Sequence, residues 1–246
     1  MGIRRVPLQE GLRGAAAEGA WLTLWPEAEH YLCRVLRLGE GAEVELFDGA
    51  GQRCRALLSR RDGLLGLACG SWREGPQVSY GDVLAASLLK GERWEWLIEK
   101  AAELGAEALW PLRADRSVVR VPEGKVSERV TRWQRIAESA ARQCERDDVM
   151  EVLPPMSLED AWRLAGCRAR WVADEEEGSR PWPPIPLGEG VVGFLGPEGG
   201  WSARERRWLE QVGATRIGLG PSVLRAETAG CALLAGLRLW RAQILG

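Results

Sequence analysis

Up to about residue 74 the apolar positions alternate with polar ones. Beyond residue 82 they gather into short continuous runs separated by stretches of helical spacing. Ala42-Glu43-Val44-Glu45-Leu46-Phe47 and Arg53-Cys54-Arg55-Ala56-Leu57-Leu58 show the two-residue period of half-buried strands. The Asp48-Gly49-Ala50-Gly51 between them is a turn signal. These strands predict a small half-buried sheet or barrel. Gly70 to Gly81, rich in Gly, Pro and Ser, is the expected boundary, giving domains at 1–74 and 75–246.

In the second domain Val83 to Leu89 is apolar throughout, as in a strand buried on both faces. A helix is predicted from Glu92 to Leu104, with Trp94, Leu97, Ile98, Ala101 and Leu104 on one face and Gly105 at its C-cap. Another runs from Ser127 to Cys144, where Val130, Trp133, Ile136, Ala137, Ala140 and Cys144 share an arc. Strands follow at 170–173, 191–195 and 215–219, alternating with helices at 202–212 and 226–244. Alternating strands and helices predict an α/β layer fold with a mostly parallel sheet. Asp174 to Gly190, rich in glutamate and proline, is expected to be a solvated loop.

Composition narrows the class. The chain has 246 residues, 46% hydrophobic and 28% charged, the profile of an ordinary soluble globular protein. No apolar run is long enough to span a membrane, and the N-terminus leads into no signal-like stretch, so a cytoplasmic location is expected. Six cysteines without a C-x-x-C pair and one histidine suit neither a zinc site nor a disulfide framework, so no metal is expected. The net charge of −2 excludes a uniformly basic coat but not a local patch. Residues 113–146 hold nine basic and five acidic side chains. On the helix from Ser127, Arg132, Arg135, Arg142 and Arg146 fall opposite the apolar arc. This is either a solvated face or a surface for phosphate.

Two segments bear the chemistry. In Phe194-Leu195-Gly196-Pro197-Glu198-Gly199-Gly200-Trp201-Ser202 a buried strand ends, a glycine loop follows, and Ser202 is placed to cap a helix. In Leu219-Gly220-Pro221-Ser222-Val223-Leu224-Arg225-Ala226-Glu227-Thr228-Ala229 a second strand ends in a Gly-Pro loop before a helix. Neither is a G-x-G-x-x-G or a P-loop. Two such loops at the C-terminal ends of parallel strands can converge on one crevice.

Together these segments resemble the signature of the bacterial 16S rRNA uracil-N3 methyltransferases, of the SPOUT class. Further blocks agree in order: His30 with Arg34-Val35-Leu36-Arg37-Leu38 and Phe47-Asp48-Gly49; Lys90-Gly91-Glu92-Arg93 with Lys100-Ala101-Ala102-Glu103-Leu104-Gly105; Arg116-Ser117-Val118-Val119 with Arg132-Trp133-Gln134-Arg135-Ile136 and Ala140-Ala141-Arg142-Gln143-Cys144. The match covers nearly the whole chain. It departs where His30-Tyr31 replaces a His doublet, where Met150 stands in place of a proline, and where the N-terminus lacks an aromatic pair. These departures bear on RNA contacts more than on donor binding.

The resemblance implies a C-terminal parallel sheet with a trefoil knot, an N-terminal PUA-like β-barrel, a homodimer, and a 16S rRNA or small-subunit substrate. It implies S-adenosylmethionine as methyl donor, held by Leu195, Gly196, Pro197, Glu198, Gly199, Gly200, Leu219, Gly220, Ser222, Val223, Leu224, Arg225, Thr228 and Ala229. The target would be a uridine numbered 1498 in the family's rRNA numbering. Phosphate contacts are expected at Arg34, Arg37, Lys90, Arg93, Arg116, Arg132, Arg135, Arg142 and Arg146, with Arg53 as a possible extension; His30 is expected to be structural. Uracil N3 must lose a proton before it attacks, so the chemistry needs an acceptor and positive charge near the uracil oxygens. Arg225 is the expected anion stabiliser, and Glu227 and Glu198 are the nearby carboxylates. Each glutamate is alternatively structural, Glu198 bonding loop amides and Glu227 holding the helix start. The competing functions are ribose 2′-O methylation by another SPOUT enzyme and a non-catalytic ribosome-assembly RNA-binding protein. The completeness of both loop motifs weighs against the latter.

Overall fold

The structure is a computed structural model and describes residues 3–75, 80–178, 181–184 and 190–245. The chain divides into two compact units. One is residues 1–78 with 141–149, and the other is 79–140 with 150–246.

The first unit is built on β1 (Arg4–Pro7), β2 (Trp21–Thr23), β3 (Glu43–Phe47), β4 (Gln52–Arg61) and β5 (Leu64–Glu74), with a short helix α1 (Pro26–Glu29) running into a π-helical turn, His30–Val35. The sheet order is β1-β3-β4-β5-β2, with β1 parallel to β3 and the other pairs antiparallel. Cys54, Ala56 and Leu58 of β4 turn inward onto Val44, Leu46 and Leu67, and the residues between them turn out. The alternation read from the sequence is this half-buried face. The Asp48 carboxylate closes the β3–β4 hairpin by accepting from the N–H groups of Ala50 (2.7 Å) and Gln52 (2.9 Å).

Residues 141–149 are held in this unit by backbone bridges from Gly49 and Ala50 to Asp148 and by charge. Arg5 of β1 pairs with Glu45 at 3.1 Å, bonds Asp147, and donates to the Arg146 carbonyl at 2.9 Å. Asp147 is fully buried; burial pushes its carboxyl up, while Arg5 and Arg53 pull it down.

The second unit is a parallel sheet of β6 (Val83–Ser87), β7 (Ala108–Leu112), β8 (Glu151–Val152), β9 (Ala169–Ala173), β10 (Val191–Leu195) and β11 (Thr215–Ile217), in the order β11-β9-β10-β6-β7-β8. Its helices are α2 (Glu92–Glu103), α3 (Val126–Gln143, whose last three residues lie in the first unit), α4 (Leu158–Leu164), α5 (Ala203–Gln211) and α6 (Ala226–Leu245). Leu84 and Ala86 of β6 face a core made with Trp94, Leu97, Trp133, Leu233 and Leu237. Val83 and Ala85 face another made with Leu158, Trp162, Phe194 and Leu209. Both faces are covered, which explains the uninterrupted apolar run.

Strand order places the site. From β6 the chain proceeds to β7 on one side, whereas from β10, its other neighbour, it proceeds through α5 to β11 at the opposite edge. The connections diverge between β6 and β10, and the crevice beyond their C-terminal ends is where open α/β sheets bind ligands. The first glycine loop leaves β10 at that point.

Candidate active site

The first loop, 196–202, is held from below and from the side. Gly196 lies against the buried indole of Trp201: a Cβ there would be 3.1 Å from the ring. Gly200 has φ 66°, a left-handed conformation that glycine adopts at little cost, and its N–H closes a turn on Pro197 O at 2.8 Å. Ser202 caps α5 as expected. Its Oγ accepts from the Glu205 N–H (3.1 Å), and Glu205 Oε2 accepts from the Ser202 N–H (2.7 Å), a reciprocal capping box. Glu205 is buried, and its Oε1 accepts from the Asp115 N–H at 2.9 Å. Asp115 in turn receives Arg204 at 2.9 and 3.0 Å and Ser202 Oγ at 2.5 Å, which hold its carboxyl below the usual carboxylate range. Arg116 donates to Gly199 O at 2.9 Å. The segment after β7 thus braces the loop after β10.

The second loop, 218–225, is fastened by its backbone. Gly220 N–H donates to Gly178 O at 3.0 Å, and Trp182 Nε1 donates to Gly218 O at 2.7 Å. Gly220 has φ 119°. Leu219 and Leu224 are half-buried, whereas Ser222, Val223, Arg225 and Thr228 are exposed. Ala229, half-buried, donates its N–H to Arg225 O at 2.8 Å in the first turn of α6. One turn on, Gly230 lets α6 settle on β10, because a Cβ there would be 3.2 Å from Leu195 and 2.8 Å from Leu97.

Both loops follow the C-terminal ends of parallel strands, and one guanidinium bridges the first loop and the start of α6, which follows the second. Arg93, in the first turn of α2, has Nη1 3.7 Å from Glu198 Oε1 and Nε 3.8 Å from Glu227 Oε1. The carboxylates differ in burial, with side chains 37% exposed for Glu198 and 12% for Glu227. Glu227 Oε2 is sealed from solvent without a hydrogen-bond partner. Glu198 is thus the more exposed of the two carboxylates. Glu227, which the sequence offered as an equal candidate, sits as the buried partner of Arg93. Among the described residues no carboxylate lies within ion-pair distance of Arg225, and no group of three or more His, Cys, Asp or Glu could hold a metal.

A family model described as an RNA methyltransferase domain matches residues 81–238, and one described as an RNA methyltransferase PUA domain matches 27–63. The ribosomal RNA small subunit methyltransferase E of Bacillus subtilis is 31% identical over 86% of this chain and 87% of its own length. The chain belongs to this methyltransferase family. Among solved structures, a protein from Legionella pneumophila described as a methyltransferase, in complex with bound SAM, superposes with TM-score 0.87 at 29% identity, covering 98% of each chain. A small subunit methyltransferase E from Neisseria gonorrhoeae bound to S-adenosyl methionine superposes with TM-score 0.83 at 26% identity, covering 97% of this chain and 98% of that one.

The methyltransferase's basic residues fall into three groups. Arg34 and Arg37 are exposed on and just after the π-helical turn, near exposed His30. Lys90 and Arg135 are exposed too; Arg132 is exposed but already pairs with Glu95 at 2.7 Å, and Arg142 stacks over Tyr31 at 5.8 Å. Arg93 and Arg116 are exposed as well, and each also contacts the first loop. Arg146 requires a correction. It is 1% exposed and pairs with Asp148 at 2.6 Å, so it cannot reach phosphate. The helix ends at Gln143, and Glu145 turns the chain with φ 61°, so the helical arc does not extend to position 146.

The 174–190 segment also departs from expectation. Asp174 is buried and receives Arg206 (3.0 Å) and Arg216 (2.9 Å), and Trp182 packs edge-on against Trp171 with ring centroids 5.5 Å apart. Residues 179, 180 and 185–189 lie outside the described residues. Of the side chains missed from sequence, Glu205 was legible as the fourth residue of a Ser-x-x-Glu box. Asp174 and Trp182 carried no signal.

Proposed function

We propose that the protein transfers a methyl group from S-adenosylmethionine to N3 of a uridine in small-subunit ribosomal RNA, the uridine numbered 1498 in the family's usual scheme. The observation that carries this reading is a pair of glycine loops at the ends of parallel strands, with Glu198 of the first loop and Glu227 just beyond the second on either side of Arg93. The residues present fit the donor. Glycine-loop backbone can bond an adenine edge, Leu195, Leu219 and Leu224 supply apolar walls, and Trp201 Nε1 is a buried donor without a partner. When bound, the donor supplies an electrophilic methyl carbon and keeps the electrons of the broken carbon–sulfur bond.

The chain's own residues have two tasks. Glu198 takes the N3 proton, leaving a lone pair on N3 to form the new N–C bond. Arg225 donates to the uracil oxygens, where the negative charge of the deprotonated ring collects. The likeness to the two donor-bound relatives and the membership in a small-subunit rRNA methyltransferase family support this reading. We also read a trefoil knot in the C-terminal part of the chain, a reading supported by Gly178 and Trp182 bonding to Gly220 and Gly218 and by Trp182 packing on Gly236. A second copy of the chain is the proposed partner, and the cytoplasm, where ribosomes are made, the proposed location.

Primer extension on small-subunit rRNA treated with protein and donor tests the chemistry. N3 methylation blocks Watson–Crick pairing and is expected to stop reverse transcriptase one nucleotide before the target. Methylated RNA that reads through at ordinary nucleotide concentration, as a ribose 2′-O-methyl group permits, would refute it.

A further inference from the structure

We propose that Arg93 is a positioning residue for the proton acceptor, held by buried Glu227 on one side and holding exposed Glu198 on the other. This rests on the reading of Glu198 as the acceptor. Glu227 is the anchor. It stands in the first turn of α6, is mostly buried, and has one oxygen facing Arg93 at 3.8 Å and the other sealed. Burial with a single ionic partner fixes that carboxylate, and the planar guanidinium transmits the fixity. Arg93 then offers a different nitrogen, Nη1, to Glu198 at 3.7 Å. Glu198 lies in a glycine-rich loop with little side-chain packing of its own. Among the described residues Arg93 is the cation within ion-pair distance of that carboxylate, and without it several rotamers are open.

The three residues come from three separate segments: α2, the loop after β10, and the start of α6. The arrangement also relates the two donor loops. Arg116 braces Gly199 from the β7 side, and Arg93 reaches the neighbouring Glu198 from the β6 side. Arg93 remains exposed, so the role proposed here and the RNA contact expected from its sequence block are separated by experiment.

The test is single-turnover methylation at saturating rRNA and donor with Arg93→Ala, Arg93→Lys, Glu198→Gln and Glu227→Gln, each checked for thermal unfolding. Donor affinity is measured by calorimetry, and rRNA affinity across a salt series. Arg93→Ala is expected to slow the step about 10- to 100-fold, the scale of a misplaced catalytic group, with donor affinity and salt slope unchanged. Arg93→Lys restores part of the rate, since one ammonium cannot face both carboxylates. Glu227→Gln slows the wild type but slows Arg93→Ala no further. A wild-type rate for Arg93→Ala beside a slow Glu198→Gln overturns the Arg93 proposal alone. So does a salt slope reduced by about one unit with the rate intact, which would make Arg93 a phosphate contact. A wild-type rate for Glu198→Gln overturns the reading beneath it.

Discussion

Gly218→Ala is a one-carbon change that separates the second loop from the segment that fastens it. A Cβ at this position would fall within contact range of the Gly178 carbonyl oxygen and 2.6 Å from its carbon. Both are backbone atoms, so no rotamer change relieves the clash. Either strand β11 or the 174–178 turn must move. Movement breaks the Gly220 N–H to Gly178 O bond (3.0 Å) and the Trp182 Nε1 to Gly218 O bond (2.7 Å). Overpacking of this kind costs roughly 1–3 kcal/mol, and each lost hydrogen bond about 1 kcal/mol. The sum is roughly 3–5 kcal/mol, which for a chain of this size lowers Tm by roughly 6–20 °C. Because Leu219 to Arg225 follow immediately, donor affinity falls with stability. Thermal unfolding with and without S-adenosylmethionine measures both, and the donor-induced rise in Tm is expected to shrink in the variant. Wild-type Tm and an undiminished donor shift would refute the account of how this loop is held.

Asp174→Asn is expected to cost about 3 kcal/mol at neutral pH, the scale of breaking a buried pair. Burial acts to raise the Asp174 carboxyl, but the Glu176 N–H, Arg216 and Arg206 outweigh it and hold the carboxyl below its usual value. Its stabilisation is therefore present above the unfolded value near 3.9 and lost as pH falls through the folded one; urea unfolding at pH 7 and pH 3 should show the wild-type advantage shrinking on acidification. Replacing Arg132 and Arg142 together with Ala should weaken rRNA binding and flatten its salt dependence by roughly one unit per lost phosphate contact, with donor affinity unchanged; an unaltered slope places the RNA elsewhere. Leu239 is 66% exposed on the largely apolar helix α6, so Leu239→Asp should convert a dimer into a monomer by light scattering at micromolar concentration; a wild-type mass already that of a monomer refutes the dimer.

The parts legible in the sequence are those fixed by neighbours along the chain. Periodicity placed α2, α3, α5 and α6 to within a residue or two, because each has an apolar face whose spacing local geometry sets. Ser202 was legible as a cap because its partner, Glu205, is three residues on. Strand β7 drew no prediction: Ala-Leu-Trp-Pro-Leu is five residues with a proline, tolerated here although the strand lies between β6 and β8. The affiliation of 141–149 with the first unit was invisible, since it depends on Arg5 meeting Asp147 across 142 positions. Which of Glu198 and Glu227 is the more buried was open for the same reason: both lie by glycine loops, and their shared partner, Arg93, stands more than a hundred positions away.

The misread segment at 174 shows what limits such reading. Composition assigns a run of acidic residues to solvent because stripping water from a carboxylate is costly. That cost is met only when opposite charge arrives with suitable geometry. For Asp174 it arrives from Arg206 on α5 and Arg216 on β11, 32 and 42 residues later. The neighbouring Glu175 and Glu176 also pair with these arginines, yet stay at the surface. One acid in the run is thus a structural centre and the next two are ordinary surface partners, a distinction made by tertiary placement rather than residue type. The same logic separates Arg146 from Arg142 on one apparent helical face. Charge partners likewise distinguish Arg93, which faces Glu198 and Glu227, from Lys90 in the same four-residue block, although both side chains are exposed.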